Sequence, residues 1–161
     1  MATRSISTCP HIAALDVDAY RAEELLRDAA RRAAAFCDSD PEVIYRALSR
    51  REQAASTALG GGVAIPHARI DGIGHRVALL LRTRSAIDFR APDHKPVSLF
   101  YVILVPQDGD PQDHLDFLAR VSAVLGDAGV RRRLATAGSP DSAKLAFVTW
   151  EDSLAADAVP R

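Results

Sequence analysis

Cysteine and lysine are scarce in this chain. Cys9 and Cys37 are the only cysteines among 161 residues, and Lys95 and Lys144 are the only lysines. The two cysteines lie far apart and fit no spaced pattern. One disulfide between them is conceivable, but nothing resembles a secreted, disulfide-stapled scaffold. No CxxC or HExxH spacing occurs, so the common zinc arrangements are absent. The formal net charge of −1 offers no basic field for nucleic acid, and no zinc-finger, helix-turn-helix or RNA-binding signature appears. The longest apolar run, 97–105, is about half of what a membrane span needs. The first fifteen residues lack a sustained signal-peptide core. These absences lead to an expectation of a soluble cytoplasmic protein that neither inserts into a membrane nor binds nucleic acid.

Several catalytic motifs are also missing. The Gly60-Gly61-Gly62 run is not followed by the Lys of a P-loop and does not form GxGxxG. Without GxSxG, serine hydrolase chemistry has little support. Asp108, Asp110 and Asp113 are not spaced as a calcium loop. The length suits one domain, expected to span 1–161 with its core at about 15–150. Apolar residues make up 48% and charged residues 25%, as in ordinary globular chains. The excess of arginine over lysine reads first as genome composition.

Residues 1–15 read as irregular, with a short element near His11–Leu15. Helical spacing of Ala22, Leu25, Leu26, Ala29, Ala30 and Ala33 predicts a helix from about Asp18 to Cys37. Asp40-Pro41 opens a second helix. Val63–Ile65 reads as a short strand that Pro66 ends, leaving His67 at its tip. HRVALLLRT at 75–83 predicts another strand, and 87–89 a small edge strand. VSLFYVILV at 97–105 predicts a central strand covered on both faces. Asp110-Pro111 starts a helix with inner positions Leu115, Leu118, Val121, Ser122 and Leu125. A short basic helix at 130–137 and a last helix opened by Ser139-Pro140 follow, the latter burying Leu145, Ala146 and Val148. The tail from Glu151 reads as loosely ordered. The sum is α/β: five helices and three or four strands, with helices on both faces of a small, partly parallel sheet.

His67 draws attention because imidazole is the one side chain able to act as nucleophile and acid near neutral pH. Arg51 stands where a helix ends beside the glycine segment, and its fork can hold two phosphate oxygens. His114 falls in the first turn of a helix, where free backbone donors favour anions. A phosphoryl group on His67 would meet an electrostatic pocket if the three converged. Ser56 and Thr57 are phosphate donors or plain loop and cap residues. His75 and His94 read as structural or exposed.

An ordered series of segments then resembles a known family. Arg51-Glu52, Ser56-Thr57 with the glycines, and Val63-Ala64-Ile65-Pro66-His67 carry it. Ile87-Asp88-Phe89, Pro96-Val97, Leu104-Val105-Pro106, His114-Leu115 with Leu118, and Arg132-Arg133-Leu134 continue it. The chain is similar to the enzyme IIA component of the bacterial phosphoenolpyruvate-dependent phosphotransferase system, fructose/mannitol class, and to its standalone nitrogen-regulatory subgroup. The resemblance implies the type-2 IIA fold, a small mixed sheet with helices on both faces. It implies a protein-histidine phosphotransferase component in which His67 accepts the phosphoryl group, His114 supports it and Arg51 lines the pocket. The implied donor is a small HPr-like histidine phosphocarrier protein. The implied acceptors are regulatory target proteins in nitrogen or potassium metabolism. Alternatives are a IIB cysteine in fructose or mannitol uptake, or a non-catalytic interaction module of the same fold. No metal, nucleotide or other cofactor is expected. The chain departs from the regulatory pattern at Gly61 or Gly62, where Asn is common, and at Ala68, where glycine is common.

Overall fold

The computed structural model describes residues 7–158; the expected irregular start at 1–6 and the end of the tail lie outside these. Two compact units emerge, Pro10–Asp110 and the segment ending at Cys9 together with the chain from Pro111 onward. The first holds an α/β core with a small mixed sheet flanked by helices, the class expected.

In this unit the chain order is β1 (Ile12–Val17), α1 (Ala22–Ala34), α2 (Pro41–Ala54), β2 (Ala58–Gly60), β3 (Val63–Ala64), β4 (His67–Ile70), β5 (Val77–Ile87) and β6 (Val97–Pro106). The sheet runs β1-β5-β6-β3-β2, and β4 also pairs with β6. β1 is parallel to β5, β5 antiparallel to β6, and β3 and β4 both parallel to β6. β6 is thus the central strand, and Leu99–Val105 within it are all buried. Leu25, Leu26, Ala29, Ala30 and Ala33 of α1 and Ile44 and Leu48 of α2 share one core with Leu79, Leu81, Phe100, Val102 and Leu104 of the sheet. Apolar residues on one helical stripe thereby cover one sheet face. Phe89 meets Phe100 edge-on with ring centroids 5.1 Å apart.

The strand that precedes Pro66 ends at Ala64, but pairing with β6 resumes beyond the proline. Val63 pairs with Leu99 and His67 with Ile103, so β3 and β4 keep one register along β6. Pro66 has no N–H, but its carbonyl accepts from Ile103 N at 2.9 Å, and the ladder continues through the acceptor alone. His67 therefore begins a strand. The three glycines, at φ +88°, +66° and +80°, make the tight reversal between β2 and β3.

Other expectations change. The region near residue 12 is a full strand, β1, paired with β5. α1 is shorter at both ends than 18–37. β5 runs on to Ile87, so 87–89 is not a separate strand. Among the described residues six strands stand where three or four were expected.

The second unit contains α3 (Pro111–Gly126), α4 (Ala128–Thr136) and α5 (Pro140–Asp157). α4 packs against both α3 and α5. α3 buries Phe117, Val121, Val124 and Leu125, while Leu115 is 57% exposed. The buried stripe is rotated from the expected one because it centres on Phe117, the largest apolar side chain of the helix. α5 likewise buries Ala143, Ala146 and Phe147 and leaves Leu145 and Val148 exposed. Ser139 closes a capping box with Ser142 at its start. The helix continues past Glu151, whose carboxylate accepts from Thr8 N and, at 2.6 Å, from Thr8 Oγ1. That bond ties down the expected loose segment.

Candidate active site

His67 is half-buried at the start of β4. Its Nδ1 lies 2.8 Å from the carbonyl oxygen of Ile65. A carbonyl oxygen only accepts, so Nδ1 carries the hydrogen and, in the neutral ring, Nε2 carries the lone pair. Burial pushes the His67 pKa below 6.5; the Ile65 carbonyl pulls it up, the Arg51 charge down and the Glu52 charge up. The outcome is a neutral imidazole at physiological pH with its nucleophilic nitrogen defined.

Arg51 occupies the last turn of α2. Its Nη1 donates to the carbonyl of Ala55 at 3.0 Å, one of the acceptors left open where a helix ends. The Arg51 charge acts on the His67 ring, lowering its pKa.

Ser56 and Thr57 follow, and both are engaged within the protein. Ser56 Oγ donates to Phe89 O at 2.7 Å and accepts from Ala58 N at 3.2 Å. Thr57 is buried; its Oγ1 donates to Glu52 Oε2 at 2.6 Å and its N to Glu52 Oε1 at 3.0 Å. Glu52 was not singled out for a role from the sequence, yet it is a buried carboxylate one residue from Arg51. The signal was there: an acid five residues before a threonine, spanning a helix end.

A clip sets the glycine hairpin. Asp93 Oδ2 accepts from Gly61 N at 2.9 Å. The Gly61 and Lys95 N–H groups, the latter donating to Asp93 Oδ1 at 3.1 Å, hold the Asp93 carboxyl below the usual range. Arg90 reaches from the same loop to donate to Glu52 O at 2.8 Å.

His114 belongs to the other unit, half-buried in the first turn of α3. His75 and His94 are exposed, the latter in a turn at φ +57°. Nδ1 of His11 accepts from Ala78 N at 3.0 Å at the start of the β1–β5 pairing. Among the described residues no group of three or more His, Cys, Asp or Glu could hold a metal ion. Among them too, no helix is long and apolar enough to cross a membrane.

The chain is similar to several known proteins. A "Nitrogen regulatory protein" of Pseudomonas aeruginosa is 37% identical over 103 residues, covering 64% of this chain and 66% of that protein. A "PTS system fructose-specific EIIA component" of Haloferax volcanii is 39% identical over 100 residues, covering 62% of this chain and 64% of that protein. The matches thus span about two thirds of these curated relatives. The crystal structure of nitrogen regulatory protein IIA-Ntr from Neisseria meningitidis superposes with a TM-score of 0.80 at 31% identity, over 85% of this chain and 92% of that one. The sequence model "Phosphoenolpyruvate-dependent sugar phosphotransferase system, EIIA 2" matches residues 8–147. With that match running through nearly all of its length, the chain belongs to the EIIA 2 family of the phosphoenolpyruvate-dependent sugar phosphotransferase system.

Proposed function

We propose that this protein is a phosphoryl carrier that accepts its group on Nε2 of His67 from the phosphohistidine of an HPr-like carrier protein. The observation that supports this best is the bond from His67 Nδ1 to Ile65 O. It leaves the ring's lone pair on Nε2, and burial keeps the ring neutral. The Nε2 lone pair forms the new N–P bond as the donor's N–P bond breaks, and that electron pair returns to the donor imidazole. No oxidant, nucleotide or water takes part. The phosphorylated ring gains positive character, which strengthens the Nδ1–H bond to Ile65. Arg51 supplies a guanidinium for the phosphoryl oxygens. Positioning and charge account for most of the catalysis, because the loose transition state needs little covalent help. In this reading His114 is the supporting histidine, and the whole chain acts as one carrier domain.

The downstream role is regulatory, acting on target proteins in nitrogen or potassium metabolism. Similarity to the two nitrogen regulatory proteins supports it. The fructose-specific relative supports a second reading, in which the phosphoryl group passes to a IIB cysteine.

The test is to incubate the protein with phosphoenolpyruvate, enzyme I and the carrier from the same cell. Acid-labile, base-stable label is expected. His67→Ala should abolish it and His114→Ala should slow it. If the carrier is labelled and this protein is not, it is an interaction module instead. A purified IIB component that takes the label identifies sugar uptake; capture of a kinase or a potassium-transport protein identifies regulation.

A further inference from the structure

We propose that Glu52 is a positioning residue for the His67 imidazole, acting through the backbones of Thr57 and Ile65. The assignment rests on the reading of His67 as phosphoryl acceptor. Four contacts join the two side chains. Thr57 N and Oγ1 both donate to the Glu52 carboxylate, at 3.0 and 2.6 Å. Thr57 O accepts from Ile65 N at 3.0 Å. Ile65 O then accepts from His67 Nδ1 at 2.8 Å.

A buried carboxylate is costly to desolvate, and its two donors here both come from one residue. What the carboxylate does is close the short link between α2 and β2, residues 55–57. It fixes Thr57 against the end of α2, so β2 starts at a set distance from Arg51. Thr57 O then fixes the Ala64–Ile65 peptide through Ile65 N, one peptide before the carbonyl that faces His67. Pro66 restricts the backbone of the residue before it, so with that plane held the Ile65 carbonyl has a set direction, and its contact with Nδ1 decides which ring nitrogen of His67 keeps the hydrogen. From the other side Arg90 Nη2 holds the Glu52 carbonyl at 2.8 Å, which secures the same helix end.

Charge acts along the same path. Burial is the largest influence on the imidazole and favours its neutral form. The neighbouring Arg51 and Glu52 pull in opposite directions, Glu52 favouring the protonated ring. Two consecutive residues of one helix turn thus adjust, in opposite directions, a basicity that burial chiefly sets.

The test uses the full-length protein and two variants, Thr57→Val and Thr57→Ser, with Glu52→Gln as a third. Nitrogen-15 NMR of the His67 ring, in the unphosphorylated protein, reads the tautomer directly. Wild type should show one Nδ1–H tautomer. Thr57→Val removes one of the two donors to Glu52 and should give a mixture. It should also lower the rate constant for label uptake on the order of 10- to 100-fold, with KM for the carrier changed less than threefold. Thr57→Ser, which keeps the hydroxyl, should restore both readouts. Glu52→Gln can keep the contacts with the Thr57 hydroxyl reversed, and should keep the tautomer while lowering the ring's pKa. A folded Thr57→Val protein with a single Nδ1–H tautomer and wild-type uptake overturns the proposal. If wild type takes no label, the carrier reading fails on its own, and the tautomer ratio still decides whether Glu52 and Thr57 position the ring.

Discussion

The Nδ1 nitrogen of His67 and the carbonyl oxygen of Ile65 are 2.8 Å apart, two residues from each other along the chain. So short a local bond ties a side chain to its own strand, and here it settles which nitrogen can act as nucleophile. Its partner influence is burial, which pushes the ring's pKa below 6.5.

That depression has a sign in both rate and stability. The neutral ring is the acceptor, so uptake of label should persist to lower pH than an imidazole of ordinary pKa would allow, and decline as pH falls through the depressed value. In the unfolded chain the ring binds its proton near pH 6.5, while the folded chain binds it at lower pH. Between those two values the unfolded state holds more protons, so stability rises with pH. The contribution is present above about pH 6.5 and lost as pH falls through the folded value. His67→Asn should remove this slope. Urea denaturation of both proteins from pH 7.5 to 5 measures it, and equal slopes would show that burial does not act on this ring.

Gly62 sits at φ +80°, and a Cβ there would meet only Pro96 O, at 3.9 Å. Space is therefore not the obstacle; the backbone angle is. Gly62→Ala should cost on the order of 1–3 kcal/mol. Gly62→Asn should cost less, because Asn tolerates the left-handed region. Ser98 N and Leu99 N both donate to Gly62 O, at 3.1 and 3.2 Å, so strain here reaches β6. Urea midpoints decide it: a neutral Gly62→Ala would mean the hairpin relaxes to another turn.

On α3 the contrast is between Phe117, 1% exposed, and Leu115, 57% exposed. Phe117→Ala should cost roughly 3–5 kcal/mol. Leu115→Ala should stay within about 0.5 kcal/mol of wild type. The two losses, read from the same denaturation curves, would be reversed if the helix buried the stripe that its leucines suggest.

That reversal illustrates where the sequence could be read and where it could not. β6 was legible because nine consecutive strand-forming residues have one reading. α2 and α5 announced themselves through Asp40-Pro41 and Ser139-Pro140. α3 offered two stripes of similar apolar content, and only packing chooses between them. β1 was missed because its pairing partner, β5, lies more than sixty residues away and its own alternation breaks at Asp16, at φ +59°. The strand after the glycine run was legible in Val63–Ile65, but β2 before it was not, because Gly60 of that run is itself part of the strand. His67 and Arg51 could be chosen from residue chemistry alone. The Glu52–Thr57 contact could not, because it exists only once the link 55–57 between α2 and β2 has closed.

Arg51 gives the sharpest separation of charge from geometry. Burial lowers the His67 pKa most, and the Arg51 charge adds to that effect. Arg51→Gln removes the charge and should raise the His67 pKa, so more of the ring is protonated at pH 6 and the acceptor form is depleted. Arg51→Lys keeps the charge and should leave the pKa lowered, but it loses the fork that can hold two oxygens. Both variants should slow uptake of label, for different reasons. Raising the pH to 8 should recover the part of the Arg51→Gln loss that comes from protonation, and none of the Arg51→Lys loss. Rate profiles of the two variants against pH, with the ring titrated by NMR, measure this; profiles of the same shape would mean that Arg51 acts on the phosphoryl group alone.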